Sequence, residues 1–276
     1  MSMFSTHPSP ASLKLQDEDF QKVRKMIHDY CGIFIQEGKE ALVRSRLMKR
    51  IRRVGVQSFS EYLEYVDSDS SGQEFLALVD VITTNKTNFF REVGHFNYIK
   101  NNIMPKMKGR DVKWWSAGCS SGEETVTMAI TLLEGKQETA WRSVKILGTD
   151  ISREILQTAK AGVYSSQKMM DVPEHLEKKY FTKVGNGEYK VNDEIRRMIT
   201  YGRLNLTEKW PLKDGFHVIM CRNVMIYFNR ETQRKLINRF YEMLEPGGYL
   251  FIGHSESIPS DNNNFVYVAP AAYQKR

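Results

Sequence analysis

Two textures of apolar and polar positions divide the chain. From Asp17 to about Asp80 the apolar residues recur three and four positions apart, the spacing of one helix face. DEDFQKVRKMIHDYCG opens on acids, which suit a helix N-terminus, and closes at Gly32. A second helix is predicted from about Lys39 to Val54, with Val43, Leu47, Ile51 and Val54 on one stripe. A third starts after Ser58 and a fourth covers roughly 72–81. Together they make a small all-α unit over 17–82, preceded by a Ser- and Pro-rich stretch, 1–16, expected to be a mobile tail.

Beyond it, short apolar runs alternate with helical segments. VKWWSAG (112–118), VKILGTD (144–150) and FHVIMCRN (216–223) read as strands, followed by the helices GEETVTMAITLLEG, SREILQTAKAG and RETQRKLINRFYEML. Pro246-Gly247-Gly248 turns into a further strand, YLFIGHS, and a last strand lies near FVYVAP. Alternation of this kind predicts an α/β domain, with a doubly wound parallel sheet covered on both faces. The rhythm breaks between about 166 and 200, where KKYFTKVGNGEYKV reads as a hairpin whose Gly-Asn-Gly supplies the positive φ angles of the turn. This is a small antiparallel insertion within a domain expected to span 93–276.

Composition narrows the class. At 41% hydrophobic and 26% charged over 276 residues, the chain is neither disordered nor collagen-like. No apolar run reaches the ~18 residues of a membrane span, and the N-terminus has no basic segment followed by an apolar one. A cytoplasmic protein without membrane insertion is expected. Cys31, Cys119 and Cys221 lie far apart and lack the paired spacing of a zinc site, so reduced thiols and no metal are expected. The first 84 residues hold 11 Lys and Arg against 12 Asp and Glu, so the remainder, at 29 against 21, carries all of the chain's net positive charge. Such an excess suits an anionic cofactor, an acidic protein surface or nucleic acid.

In open parallel sheets, ligands bind beyond the carboxyl ends of the strands, at the switch point. One loop there runs Ser116-Ala117-Gly118-Cys119-Ser120-Ser121-Gly122-Glu123-Glu124, whose small residues let backbone approach a ligand closely. Asp150 ends the next strand, where an acid can accept hydrogen bonds from both ribose hydroxyls. The glycines do not spell GxGxxG, and the acid pair opening the helix would repel a pyrophosphate. A nucleoside without phosphates fits better, S-adenosylmethionine with its two positive charges above all. A tight turn that holds no nucleoside is the alternative. Two further runs stand out. TTNKTNFFRE (83–92) lies at the seam between the two textures, a place where ligand sites form. CRNVMIYF (221–228) sets Asn223 and Tyr227 over the same crevice.

TTNKTNFFRE, SAGCSSGEE, GTDIS, RNVMIYF and PGGYLFIGHSE together resemble the CheR family of chemoreceptor glutamate methyltransferases, in family order over about 17–270. The resemblance implies a class I S-adenosylmethionine-dependent methyltransferase domain, Rossmann-like, behind a small all-α receptor-docking domain. It implies S-adenosylmethionine as cofactor, S-adenosylhomocysteine as product, and glutamate carboxylates in the cytoplasmic helical domain of chemoreceptors as acceptors. By the same resemblance Asn85, Thr87 and Arg91, in a linker over 83–92, contact the cofactor. So do Gly118 and Glu124 in the loop, Asp150 at the ribose, Asn205 and Leu206 on the adenine side, and Asn223 with Val224. Arg91 and Tyr227 resemble the residues that position the acceptor.

Arg46, Lys49, Arg50 and Arg53 fall on one arc of the second helix, which the resemblance makes a docking face for acidic receptor helices; a solvated face is the plainer reading. Members that tether to a receptor's C-terminal pentapeptide resemble one another in a longer loop after Gly-x-Gly with a trailing arginine. Here Gly185-Asn186-Gly187 runs straight into Glu188-Tyr189-Lys190, so no such tether is expected. Thr125-Val126 stands where the family usually has Pro-Tyr, just inside the helix. A small-molecule O-methyltransferase is a further reading, but one acting on hydroxyls usually requires a base or metal, and no suitable His/Asp set is visible; two others remain. A nucleic-acid methyltransferase would suit the pI of about 9.1, but the Pro-Pro-aromatic motif and a Cys after Pro are both missing. A non-catalytic docking module that keeps the cofactor pocket is the second.

Overall fold

The computed structural model describes residues 13–135, 141–213, 215–259 and 262–276. Most of the tail expected over 1–16 lies outside the described residues. The chain forms two compact units, Met1–Thr84 and Asn85–Arg276.

The first unit has four helices: α1 (Asp17–Cys31), α2 (Glu40–Val54), α3 (Phe59–Ser68) and α4 (Gln73–Ile82). Three acids fill the first turn of α1, and Gly32 ends it at φ 72° with its N–H returned to the His28 carbonyl. Ser58 caps α3 by accepting from the Glu61 N–H. The predicted stripe of α2 faces inward: Val43, Leu47 and Ile51 are buried, as are Phe20, Ile27, Tyr62 and Leu78 of the other helices, while Val54 is half-buried at the helix end. Two acids of this unit are buried, Asp19 and Glu74. Glu74 accepts from Arg50 Nε at 2.9 Å and Nη2 at 2.5 Å and from the Tyr62 hydroxyl at 2.8 Å.

In the second unit, α5 (Gly94–Tyr98) runs on through a π turn and a 3₁₀ turn to Met107. It leads into β1 (Asp111–Ala117), α6 (Glu123–Glu134), β2 (Ser143–Asp150) and α7 (Arg153–Ala161). After the insertion come β6 (Ile199–Arg203), β7 (Phe216–Cys221), the helix Arg230–Met243, β8 (Leu244–Ile252), β9 (Phe265–Ala269) and β10 (Ala272–Lys275). The main sheet has the order β6-β2-β1-β7-β8-β10-β9. Its first five strands are parallel, and every residue of β7 is buried, as expected of a central strand covered on both faces. The chain winds outward from β1 through β2 to β6, then returns to β7 and winds the other way. The switch point therefore lies between the carboxyl ends of β1 and β7.

Four sequence expectations need correction. The sheet is mixed, because β10 pairs antiparallel with both β8 and β9. The C-terminal pattern is a hairpin, with Ala271 at φ 55° making its turn; FVYVAP is only its outer strand. The strand read as starting after Gly248 begins at Leu244, which pairs with Phe216. Pairing then resumes at Tyr249 opposite Val218, so Pro246-Gly247-Gly248 is a bulge within the strand. The insertion is a three-stranded sheet, β3 (Val163–Ser165), β5 (Glu188–Val191) and β4 (Phe181–Gly185), which starts ahead of residue 166. Ile199 and Thr200 already belong to the main sheet, in β6. Its hairpin turn is as expected, with Gly185, Asn186 and Gly187 all at positive φ.

Candidate functional site

At the end of β1 the chain must reverse and enter α6 within a few residues. Gly118 does so at φ 94°, and the N–H groups of Gly118 and Cys119 both reach the Thr149 carbonyl at 2.8 Å. A Cβ on Gly118 would stand 2.4 Å from Val224 Cγ2, so the loop closes directly over the end of β7. Ser120, at φ 49°, gives its N–H to Asp150 Oδ2 at 2.8 Å and its hydroxyl to the Asn85 carbonyl at 2.9 Å. Asp150 Oδ1 accepts from the Ser152 N–H at 3.0 Å. These bonds collect Asn85, Gly118, Asp150 and Val224 around one loop.

Glu124 joins the same group. Its carboxylate accepts from the Ser116 hydroxyl at 2.7 Å and from Arg222 Nη1 at 3.0 Å. Arg222 is a residue the sequence reading passed over, although it sits inside RNVMIYF. Its side chain is 1% exposed and fully engaged: beyond Glu124, it donates Nε and Nη2 to Glu92 Oε2 at 3.3 and 3.1 Å and Nη2 to the Arg91 carbonyl. A buried guanidinium with this donor fork suits two carboxylates and a carbonyl at once. The sequence signal was an arginine closing an apolar strand, with two glutamates in motifs already singled out. Burial pushes the Glu92 carboxyl up, but Arg222, the His254 N–H and the His254 charge together hold it below its ordinary value.

Glu92, His95 and His254 bring a carboxylate oxygen and two ring nitrogens within 4.8 Å, the outline of a metal cluster. The cation beside Glu92 is Arg222, however, which takes both Oε2 contacts. His95 is 2% exposed, and its Nε2 stands 3.1 Å from the Pro270 carbonyl, which can only accept. The proton is therefore assigned to Nε2, leaving Nδ1 without a hydrogen-bond partner 3.6 Å from Glu92. Burial, reinforced by the Arg222 charge, lowers the His95 pKa to about 4.

The remaining expected residues are placed as follows. Thr87 and Arg91 are half-buried; the Thr87 carbonyl accepts from Lys168 at 3.2 Å, and Arg91 Nη1 donates to the Lys86 carbonyl at 3.0 Å. Lys168 also pairs at 2.7 Å with Glu123, whose side chain is fully buried, so the insertion is tied to the start of α6. Asn223, at φ 59°, gives its N–H to Glu256 Oε2 at 3.0 Å, while its buried Oδ1 has no partner among the described residues. Glu256 also accepts from the Gly253 and Ile226 N–H groups, and burial raises its pKa. Tyr227 is half-buried in the 3₁₀ turn Met225–Tyr227, and among the described residues its hydroxyl makes no hydrogen bond. Asn205 is buried and turned onto its own loop, accepting from Thr207 and donating to Glu208 at 3.2 Å. Leu206 offers its carbonyl to Arg239 at 2.7 Å.

The helical arc differs from its expectation in two members. Arg50 is spent on Glu74, and Arg46 is bound to the Ile82 carbonyl and, at 2.8 Å, to the Thr84 hydroxyl. Lys49 and Arg53 are exposed. The spacing that puts four cations on one arc says nothing of the acid on α4 that draws one of them inward.

The group at the switch point suits an uncharged ribose beside a positively charged chain: a carboxylate at Asp150, a second acid at Glu124, and an orphaned amide oxygen at Asn223. Residues 85–273 match the family model described as CheR methyltransferase, SAM binding domain, and residues 18–83 match CheR methyltransferase, all-alpha domain. A chemotaxis protein methyltransferase of Borreliella burgdorferi is 36% identical over 96% of this chain and 96% of its own. A probable chemotaxis protein methyltransferase of Rhizobium etli is 40% identical over 86% and 91%. Among solved structures, an S-adenosylmethionine dependent methyltransferase from Mesorhizobium loti overlaps loosely, at TM-score 0.32 and 19% identity over 58% of this chain and 52% of that one. With both domain models matched in order along the chain, the protein belongs to the CheR methyltransferase family and is an S-adenosylmethionine-dependent methyltransferase.

Proposed function

We propose that the protein esterifies glutamate side chains in the cytoplasmic helical domain of chemoreceptors, working in the cytoplasm at receptor arrays. The support is the near full-length similarity to chemotaxis protein methyltransferases, together with an arginine, Arg91, held next to the switch-point loop by Arg222. Asn85, Thr87, Arg91, Gly118, Glu124, Asp150, Asn205, Leu206, Asn223 and Val224 would hold the cofactor, with Asp150 at the ribose and Glu124 at the amino group.

When bound, S-adenosylmethionine would supply an activated methyl for the acceptor oxygen, with its own sulfur as the leaving group. A glutamate side chain, with an ordinary pKa of about 4.3, is already anionic at neutral pH and requires no general base. Placement is what remains to be done, and orientation contributes roughly 7–11 kcal/mol to such reactions. Arg91 holds one carboxylate oxygen through charge-assisted bonds while the other attacks. Tyr227 donates to the acceptor or lies alongside it. The helical unit, through Lys49 and Arg53, meets acidic receptor helices. The short turn at Gly185–Gly187 supports recognition without a pentapeptide tether.

Transfer of labelled methyl from S-adenosylmethionine to receptor-containing membranes, followed by mild alkali, tests the reading. Volatile, base-labile label is the expected result. Label that survives alkali would place the methyl on nitrogen or carbon and overturn it.

A further inference from the structure

Arg91 sits in a turn that non-glycine residues adopt only under constraint. Phe90 before it and Glu92 after it are both in the left-handed region, at φ 53° and 54°. Ser120 and Asn223, the other two ends that meet here, are left-handed as well. Strain of this kind persists only where surrounding contacts impose it, and it gathers at functional sites. Three of the hydrogen bonds that hold 90–92 come from one side chain. Arg222 reaches the Arg91 carbonyl and Glu92 with one edge of its guanidinium, and Glu124 with the other, while lying 5.5 Å over the Phe96 ring. The turn is also tied by the Phe90 N–H to Thr127 at 3.2 Å, by the His254 N–H to Glu92 at 3.3 Å, by the His95 N–H to the Glu92 carbonyl at 3.0 Å and by Arg91 Nη1 to the Lys86 carbonyl at 3.0 Å.

We propose that Arg222 is a positioning residue: it locks the turn 90–92 to the first turn of α6 and thereby fixes where Arg91 presents its guanidinium. The inference deepens the proposed function, since the importance of Arg91's placement rests on that reading. Arg222 itself touches neither acceptor nor cofactor in this scheme. Its side chain is spent on Glu92, Glu124 and a carbonyl, and Arg91 does the contacting. A lysine in its place keeps a positive charge between the two acids but, as a point donor, cannot span Glu124, Glu92 and the Arg91 carbonyl together.

Arg222→Lys and Arg222→Met in the full chain test this by hydrogen exchange without cofactor, cofactor calorimetry and methyl-transfer kinetics. In Arg222→Lys the amides of 90–95 should exchange at least about tenfold faster while β1, β2 and β7 stay protected. Cofactor affinity should change only a few-fold, kcat should fall, and in an Arg91→Ala background Arg222→Lys should cost nothing further in kcat. Unchanged exchange at 90–95 overturns the proposal, and so does a kcat loss that multiplies fully with that of Arg91→Ala. If Arg222→Met fails to fold, Arg222→Lys still decides. Exchange and calorimetry need no acceptor, so failure of the receptor reading would leave them standing, and failure of the positioning role would show in them first.

Discussion

Gly118→Ala is the perturbation whose cost follows most directly from the geometry. Gly118 holds φ at 94°, where an L-residue is disfavoured by roughly 1–2 kcal/mol. The new Cβ would also stand 2.4 Å from Val224 Cγ2, whereas ordinary carbon contacts begin near 3.4 Å. Relieving that overlap demands about 1 Å of movement, and a valine forced off its rotamer costs roughly 0.5–1.5 kcal/mol. The expected loss is therefore about 2–3 kcal/mol, read by urea unfolding. It falls on a loop whose N–H groups are already committed to Thr149, so movement displaces Ser120 from Asp150 and weakens cofactor binding, about tenfold for each 1.4 kcal/mol expressed there. The two contributions can be separated. Val224→Ala removes Cγ2 and leaves only Cβ at 3.6 Å, an ordinary contact. In the double variant the rotamer part should be recovered and the backbone part should remain, giving a coupling of about 1 kcal/mol. A Gly118→Ala protein within about 0.5 kcal/mol of the parent, or a double variant as impaired as the sum of the singles, would refute the reasoning.

Glu74→Ala leaves the half-buried Arg50 without its carboxylate and the buried Tyr62 hydroxyl without its acceptor, so the helical unit should lose about 1–3 kcal/mol in urea unfolding; a loss under about 0.5 kcal/mol contradicts the pairing. His95, faced by Arg222, Glu92 and His254, has its pKa lowered to about 4 against about 6.5 unfolded. The unfolded chain thus takes up a proton between those values that the folded one refuses. Stability should fall by at most about 3 kcal/mol as pH drops from 6.5 to 4, and His95→Gln should flatten part of that slope. Arg91→Lys should cut methyl transfer sharply by losing the planar fork, with cofactor affinity less affected; near-normal turnover would remove Arg91 from its role. Reversing Lys49 and Arg53 to Glu should weaken binding to receptor fragments and abolish its dependence on salt, whereas identical salt profiles would exclude the docking face.

Most of the fold was legible, for definite reasons. The helices of the first unit carry their own start and stop signals, Ser58 and Gly32 among them, and their stripes are long enough for a 3.6 period to show. The central strands are continuous apolar runs between turn residues. Ile199–Arg203 was not legible as a strand of the main sheet, because ITYGR alternates too weakly and follows a hairpin that draws attention to itself. Ala272–Lys275 is short, and only its pairing with β8 defines it. In the site, Asp150, Gly118 and Glu124 could be found because backbone punctuation marks them. Arg222 could not, since an arginine at a strand end looks solvent-bound until two acids from distant segments are seen to close over it.

By itself the sequence determined the helical unit, the alternation that makes an α/β domain, the residues at the carboxyl ends of β1, β2 and β7, and the family. Those features are local: periodicity, punctuation and short motifs act within a few turns of chain. Only the tertiary structure decided the antiparallel edge of the sheet, the sharing of charge among Glu92, Arg222 and Glu124, and the withdrawal of Arg50 from the basic arc to Glu74. Each of those depends on which distant groups meet in a space without water, where a charge must find its partner.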